Sequence, residues 1–337
     1  MADDKAPRTA NIFDVARLAG VSHQTVSRVI NGLPNVRPAT KERVEQAIAQ
    51  LRYSPSPAAR ALVTRRTRTI GLITPGVSDY GPTSIALHFT VAARAERYSV
   101  DMVSTLDADP AMVRASIESL LRQRVDAIVL IVADMGVLEM VRGLDLAIPV
   151  VASAATPRRD PRLVSIDQYR GARMAVRHLA ELGHERIVHL AGPPRAADSA
   201  ERIRGYTDEL TARRLDFLEP VHGDWTAAGG YRVGMQLDIE PGMAVFASND
   251  LTALGLFSAL RERGLRVPED VSVVGFDDIP EAEFMYPPLT TVRQDFAGLG
   301  QLVMQKALLA MEDPEQPLTS DTPMAARLVE RSSTRQQ

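Results

Sequence analysis

Near the N-terminus, apolar positions recur with the period of a helix. Ile12, Val15, Ala16 and Ala19 fall at i, i+3, i+4 and i+7. Asn11 stands where a capping residue belongs, and Asp14 lies in the first turn, where a carboxylate meets the positive helix end. Gly20 breaks this helix. Ser22 can cap a second one, whose apolar face is Val26, Val29 and Ile30. Asn31-Gly32 stops it, since glycine takes positive φ freely. Pro38 suits the first position of a third helix with the face Val44, Ala47, Ile48 and Leu51. Three short helices with a tight glycine turn between the first two predict a helix-turn-helix. A three-helix protein-binding module with a polar outer face would read the same way.

From Thr69 onward the pattern changes to short apolar runs alternating with amphipathic stretches. Strands are predicted at 70–74, 101–105, 127–132, 150–152, 187–191, 244–247 and 271–275. Helices are predicted at 84–97, 112–123, 171–182, 251–263 and 299–311. Alternating β and α over this length predicts parallel sheets covered on both faces. The stretch is long for one open sheet, so two similar lobes are expected. Ligands in such folds bind at the carboxyl ends of strands, so a cleft between two lobes would be flanked by both sets.

Between the two regions Tyr53-Ser-Pro-Ser-Pro57 reads as a stiff Pro/Ser break. Ala58-Ala-Arg-Ala-Leu-Val63 is a good helix former but too short to be stable alone. A plain interdomain linker fits these residues equally well.

Charge sharpens the division. The 337 residues carry a formal net charge of -3, which by itself argues against nucleic acid. Residues 1–68, however, hold 12 Lys+Arg and 5 Asp+Glu, a net of +7, and the other 269 hold 27 and 37, a net of -10. Such asymmetry points to a small nucleic-acid module joined to an acidic body. In a helix-turn-helix the second helix enters the major groove with its N-terminal side chains leading. Here these are His23, Gln24 and Thr25, with Ser27 and Arg28 one turn later. Glutamine can read adenine, and arginine guanine, by paired hydrogen bonds.

Other chemistry finds little support. The absence of cysteine excludes disulfides, thiolate metal sites and a cysteine nucleophile. There is no Walker or nucleophile-elbow motif, and Gly229-Gly230 lacks a Gly-x-Gly-x-x-Gly context. His184 and His189 are spaced five apart across a helix–strand junction, poor geometry for a shared metal. Asp277 and Asp278, as strand neighbours, would point to opposite faces. No enzyme activity, cofactor or metal is expected. No run of about 18 uncharged apolar residues suggests a membrane span, and the first ten residues lack the apolar core of an export signal, so a cytoplasmic protein is expected.

The run from Asn11 to Asn31, with Asp14-Val-Ala, Ala19-Gly-Val-Ser and Thr25-Val-Ser-Arg-Val, resembles the headpiece of the Lac repressor family of bacterial transcription regulators. The resemblance continues through Gly183-His184, Ala191-Gly192-Pro193, Gly223-Asp-Trp225, Ser248-Asn-Asp250, Ser272 to Asp278 and Pro287 to Phe296, and so covers nearly the whole chain. It implies a small all-α headpiece followed by an α/β core like a periplasmic sugar-binding protein: two lobes, two parallel sheets and three crossovers near 166, 293 and 324. The implied division is 1–53 for the headpiece and 54–68 for a linker with a hinge helix. The first lobe would be 69–165 with 294–323, and the second 166–293 with 324–337.

The resemblance also implies roles. His23, Gln24 and Arg28 would read bases of operator DNA, with His23 standing where the family's namesake has tyrosine. Thr25, Ser27, Asn31 and Thr40 would hold phosphates and fix register. Leu62 would wedge between central base steps in the minor groove, and Ala59 would let two hinge helices approach. Asp79, Gly81, Pro82 and Ile85 would form one wall of an effector pocket, with Arg202, Trp225, Asn249, Asp277, Gln294 and Phe296 lining the rest. These residues suit a sugar: an indole for its apolar face, and amides and charged groups for its hydroxyls. The lone Trp225 could equally be a core residue, Gln294 a surface amide and the Asp277-Asp278 pair a cap. Two positions depart from the namesake. Ala154 replaces an aspartate and Asp198 replaces a serine, so the sugar or its geometry would differ. Ending at Arg331-Ser-Ser-Thr-Arg-Gln-Gln337 without heptads, the chain is expected to form a homodimer on a near-palindromic operator. A galactoside-type inducer is the first expectation. A purine-like corepressor is the alternative within the family, and a sugar receptor without DNA function the alternative outside it.

Overall fold

The computed structural model describes residues 10–30, 32, 34–53, 66–76, 79–105, 109–156, 160–313 and 318–337. The chain divides into two compact units, Met1–Thr67 and Arg68–Gln337.

The first unit contains α1 (Ile12–Ala19), α2 (His23–Ile30) and α3 (Pro38–Gln50). Asn11 closes a capping box: its side chain accepts from the Phe13 and Asp14 amides at 2.9 and 3.1 Å, while Asp14 accepts from the Asn11 amide at 3.0 Å. Gly20 takes the left-handed conformation, φ 66°, and returns its amide to the Ala16 and Arg17 carbonyls. Ser22 accepts the Thr25 amide at 3.1 Å and so caps α2. Val15, Ala16, Ala19, Val26, Val44 and Ala47 form the buried core, with the partly buried Val29, Ile30, Ile48 and Leu51 around it. Val26 is fully buried, which fixes the rotation of α2 and turns the opposite side of the helix to solvent.

The second unit holds two sheets. The elements of the first are β1 (Thr69–Pro75), α4 (Tyr80–Ala95), β2 (Ser99–Thr105), α5 (Pro110–Arg122), β3 (Ala127–Ile131), α6 (Met135–Arg142), β4 (Val150–Ser153) and β5 (Leu163–Val164). Those of the second are α7 (Gln168–Glu181), β6 (Ile187–Ala191), α8 (Ala197–Arg213), β7 (Val221–His222), α9 (Ala227–Gln236), β8 (Ala244–Ala247), α10 (Asp250–Glu262), β9 (Ser272–Asp277) and β10 (Thr290–Arg293). Next, α11 (Phe296–Glu312) returns to pack on the first sheet, and β11 (Arg327–Val329) ends on the second.

The first sheet runs β2-β1-β3-β4-β5, all parallel. The second runs β11-β10-β9-β8-β6-β7 and is parallel except for β11, which pairs antiparallel at one edge. The chain therefore passes between sheets three times. The first and third passages are bonded together: the Asp167 amide donates to the Met324 carbonyl at 2.8 Å, and the Met324 amide to the Ser165 carbonyl at 2.9 Å. Each sheet is covered on both faces. Ile70, Leu72, Val129 and Val151 pack against Phe89, Val303 and Met304, and Ile128 and Leu130 pack against Ile117, Leu120 and Leu138. In the second sheet Val245 and Val273 meet Leu256 and Leu260, while Phe246, Val274 and Phe276 meet Val176, Leu179 and Tyr206.

Among the described residues of the second unit, α6, α8 and α9 and the strands β5, β7, β10 and β11 go beyond the sequence pattern. Ala227-Ala-Gly-Gly opens α9 although glycine is a poor helix former. A β-carbon on Gly230 would run into the Thr252 carbonyl, and one on Gly255 into the Ala227 carbonyl. The glycines let α9 and α10 touch backbone to backbone, and this tertiary contact outweighs their poor helix propensity. Long, polar α8 shows only a thin apolar stripe, including Tyr206 and Leu210. Strands β5 and β7 have two residues each, too few to leave a period. His184 and His189 are buried, and their Nδ1 atoms meet the carbonyls of Gly242 and Phe246 at 3.0 and 2.9 Å.

Candidate nucleic-acid interface and ligand cleft

On α2, His23, Gln24 and Arg28 are exposed, and Thr25 and Ser27 half-buried. Thr25 Oγ1 lies 3.0 Å from Ser22 Oγ, so its hydroxyl also serves the helix start. The His23 ring rests 5.2 Å from exposed Phe13, which restricts its rotamers. Thr40 is half-buried in the first turn of α3. Asn31, Ala59 and Leu62 lie outside the described residues, as does most of the linker. The arrangement brings an amide, a guanidinium and an imidazole, groups whose donors and acceptors suit base edges, to one helix.

In the second unit, Asp79, Gly81, Pro82, Ile85, Asp198, Arg202, Trp225, Asn249, Asp277, Gln294 and Phe296 all line one cleft. They come from both lobes: the start of α4, the first turns of α8, the turn before α9, the ends of β8 and β9, and the crossover into α11. Ala154 lines the cleft too, as do Tyr80, Ser153, Ser165 and Gln168, which the sequence did not single out.

The polar floor is a directed network. Arg202, a donor only, gives Nε–H to Gln168 Oε1 at 2.9 Å. Gln168 Nε2 donates to Gln294 Oε1 at 2.6 Å, and Gln294 Nε2 donates to Asp277 Oδ1 at 2.6 Å. Arg202 Nη2 stands 3.6 Å from the same Asp277 oxygen and 3.9 Å from Asp198, while Nη1 donates to the Ser248 carbonyl. With a donor at one end and a carboxylate at the other, both amide orientations follow. Gln168 is the keystone of this network, and a single amide at the start of a helix gives no sequence signal of that.

Trp225 is held by its neighbours. Its backbone is left-handed, φ 66°, its carbonyl accepts from Asn249 Nδ2 at 3.0 Å, and the indole lies over Gly192, where a β-carbon would overlap the ring. Asn249 also caps α10 through the Thr252 amide at 2.8 Å. Asp224 accepts from the Thr226 hydroxyl at 2.6 Å and from Arg232 at 2.7 Å, which fixes the turn that presents the indole. The other wall has Phe296 edge-on to Tyr80, centroids 5.7 Å apart.

Asp277 and Asp278 do diverge. Asp277, φ 104°, enters the cleft; Asp278, φ 58°, turns to Arg293 and to Arg331 at 2.7 Å. Positive φ at three non-glycine residues around one site, costing of order 1–3 kcal/mol each, is strain that the surrounding bonds must hold. Burial pushes Asp277 up to about 6, with Asp198 and Asp79 adding to the shift and Arg202 and Gln294 opposing it. Burial likewise raises Asp198, against the pull of Arg202, and raises Asp79, with help from Asp224.

A helix-turn-helix followed by a two-lobed α/β core with a polar cleft defines a DNA-binding transcriptional regulator. Residues 11–56 match bacterial regulatory proteins of the lacI family, and residues 176–334 match the periplasmic binding protein-like domain. The chain belongs to the LacI family. It is 31% identical to the lactose operon repressor of Escherichia coli K12 over 334 residues, 97% of this chain and 91% of that one. It is 34% identical over 301 residues to the repressor PurR of Haemophilus influenzae strain PittEE, 87% of this chain and 88% of that one. The crystal structure of the Lac repressor dimer bound to operator and the anti-inducer ONPF superposes with a TM-score of 0.89 at 31% identity, covering 97% of this chain and 100% of that one. The protein is a DNA-binding transcriptional repressor of this family. No helix among the described residues is long and apolar enough to cross a membrane.

Proposed function

We propose that the protein is a homodimer that holds a near-palindromic operator and releases it when an uncharged sugar or glycoside, of galactoside type in the first instance, occupies the Trp225 cleft. The observation that carries this is the convergence of the sole indole with Asn249, Gln294, Asp277 and Arg202 on one cavity. An indole face covers the apolar side of a pyranose, and fixed amides and carboxylates serve its hydroxyls. Charge argues for a neutral ligand. Three carboxylates, Asp79, Asp198 and Asp277, face one guanidinium already engaged by Gln168 and Ser248. Ala154 and Asp198, which differ from the namesake, would tune the choice of sugar.

His23, Gln24 and Arg28 would read the half-site, and Thr25, Ser27, Asn31 and Thr40 would hold its phosphates. Leu62 and Ala59 of the linker would engage its centre, in a chain divided at 53 and 68. Exposed apolar Leu87 and Val91 on α4, with Leu254, Phe284 and Tyr286 in the other lobe, offer faces for dimerisation.

The ligand acts only through unequal affinity for two lobe arrangements. Titrating an operator complex by fluorescence anisotropy with a panel of glycosides tests this: a galactoside or other neutral sugar should release DNA. A response to no sugar refutes it. The similarity to PurR favours one second reading, a purine-type corepressor, for which the ligand would tighten the operator complex instead.

A further inference from the structure

One short segment of the second lobe is bonded into the first. After β6 the chain passes Arg195, Ala196 and Ala197 into α8. Arg195 Nε lies 3.0 Å from Asp134 Oδ2, and Nη2 lies 3.3 Å from Oδ1, a two-pronged pair between lobes. Asp134 and Ala196 form an isolated antiparallel bridge. The Met135 amide donates to the Arg195 carbonyl at 3.2 Å, and the Ala197 amide to the Ala133 carbonyl at 2.9 Å. The Ala155 amide stands near enough to the Asp198 carboxylate to favour its charged form. Three consecutive residues, 195–197, are thus bonded to the first lobe, and 196 and 198 also line the cleft.

Their place in the topology matters. The crossovers leave the second sheet at the β10 and β11 edge, whereas β6 is the fifth strand of six counted from that edge. The segment therefore ties the lobes on the side of the cleft away from the covalent passages. Asp134 is fixed in place for this contact. It caps α6 through the Gly136 and Val137 amides at 2.7 and 3.2 Å, and its side chain is 8% exposed. Burial would raise its pKa, but Arg195 and those two amides outweigh burial and hold it below the ordinary value. Gly136 leaves room for the guanidinium, since a β-carbon there would stand 2.9 Å from Arg195 Nη2. Arg195 itself is 74% exposed, so one partner is fixed and the other is free to leave.

We propose that Arg195 and Asp134 form a latch that holds the two lobes closed over the ligand cleft, and that a ligand enters and leaves when this ion pair and the adjoining backbone bridge open together. Asp198 links the latch to occupancy, because it lines the cleft and directly follows the residues bonded across it. The latch does not depend on which ligand the cleft takes.

The sole tryptophan lies in the cleft wall and reports opening without a known ligand. In Arg195→Ala of the full-length protein, hydrogen exchange at the Met135 and Ala197 amides should quicken about fivefold, the effect of losing a half-exposed charge-assisted pair. Acrylamide quenching of Trp225 should rise with it, while exchange in β3 and β8 stays unchanged. Asp134→Asn keeps the capping oxygen but loses the charge, and should behave alike. Gly136→Ala should do the same by displacing the guanidinium. High salt should bring the wild type toward Arg195→Ala and leave that variant where it is. Unaltered exchange and quenching in Arg195→Ala would overturn the latch. So would quickening spread evenly over all amides, which is loss of global stability.

Discussion

Asp277→Asn puts the cleft's electrostatics to a quantitative test. The carboxyl is 7% exposed and its pKa stands at about 6 against an ordinary 3.8. Its folded-state pKa is above its unfolded one, so the folded protein binds the extra proton between those values. Ionising Asp277 therefore costs stability as pH rises from about 4 to about 6, and above about 6 the loss is complete. At 1.36 kcal/mol per unit, a displacement of about two units corresponds to an upper bound of about 3 kcal/mol. Asparagine carries no such cost, has nearly the same shape, and tolerates positive φ better than most residues. Arg202 keeps Gln168, the Ser248 carbonyl and Asp198 as partners, although losing one carboxylate offsets part of the gain. The expected outcome is a variant more stable by about 1–2 kcal/mol at about pH 7.5. That advantage should shrink to nothing below about pH 4, where folded and unfolded chains both hold the proton. If the cleft takes a sugar as proposed, the same variant should bind it more weakly, having lost an anionic acceptor. Urea unfolding followed by Trp225 emission at a series of pH values measures the difference. A variant destabilised at neutral pH, or an advantage that does not change with pH, would contradict this account of the cleft.

Gln24→Ala should relax preference at one or two operator positions, at about 1–3 kcal/mol for a lost paired contact, and an unchanged selected-site pattern would remove Gln24 from the readers. Gly255→Ala should destabilise the core by about 2–4 kcal/mol, because the added carbon meets the Ala227 carbonyl in the backbone contact of α9 with α10; thermal unfolding reads this directly. Glu209 accepts from Arg173, Arg177 and Arg213 at 2.7, 3.1 and 3.0 Å, and these bonds overcome burial to lower it to about 2. Its contribution is present above about pH 4.5 and lost as pH falls through about 2, so Glu209→Gln should cost about 2–3 kcal/mol at about pH 7 and much less at about pH 2.5 by urea unfolding.

Periodicity locates the three N-terminal helices because each segment has one buried face and a local start signal. The Asn11–Asp14 capping box, the Gly20 turn and the Pro38 start are devices that need no distant partner. The main strands are legible for a related reason: buried on both faces, they read as unbroken apolar runs. What escapes depends on distant groups. The helix at Ala227–Gln236 is hidden by glycines, one of which makes room for a carbonyl far along the chain, at Thr252. Gln168 gives no sign, since its importance lies in joining Arg202 to Gln294 across 34 and 126 positions of chain. Arg195 and Asp134 look like two ordinary surface charges until the fold sets them face to face.

Residue order alone carries the two-part plan, the basic N-terminal segment and the α/β character of the body, while the residues that gather at the cleft are legible only through resemblance to the family. The first three are written in local spacing or in residue type, which a chain carries whether folded or not. Which oxygen each donor meets, how far burial lifts Asp277, and the binding of residues 195–197 to the opposite lobe come only with the packed fold. Those properties depend on desolvation and on short separations between segments far apart in the chain, and such distances exist only once both sheets have packed.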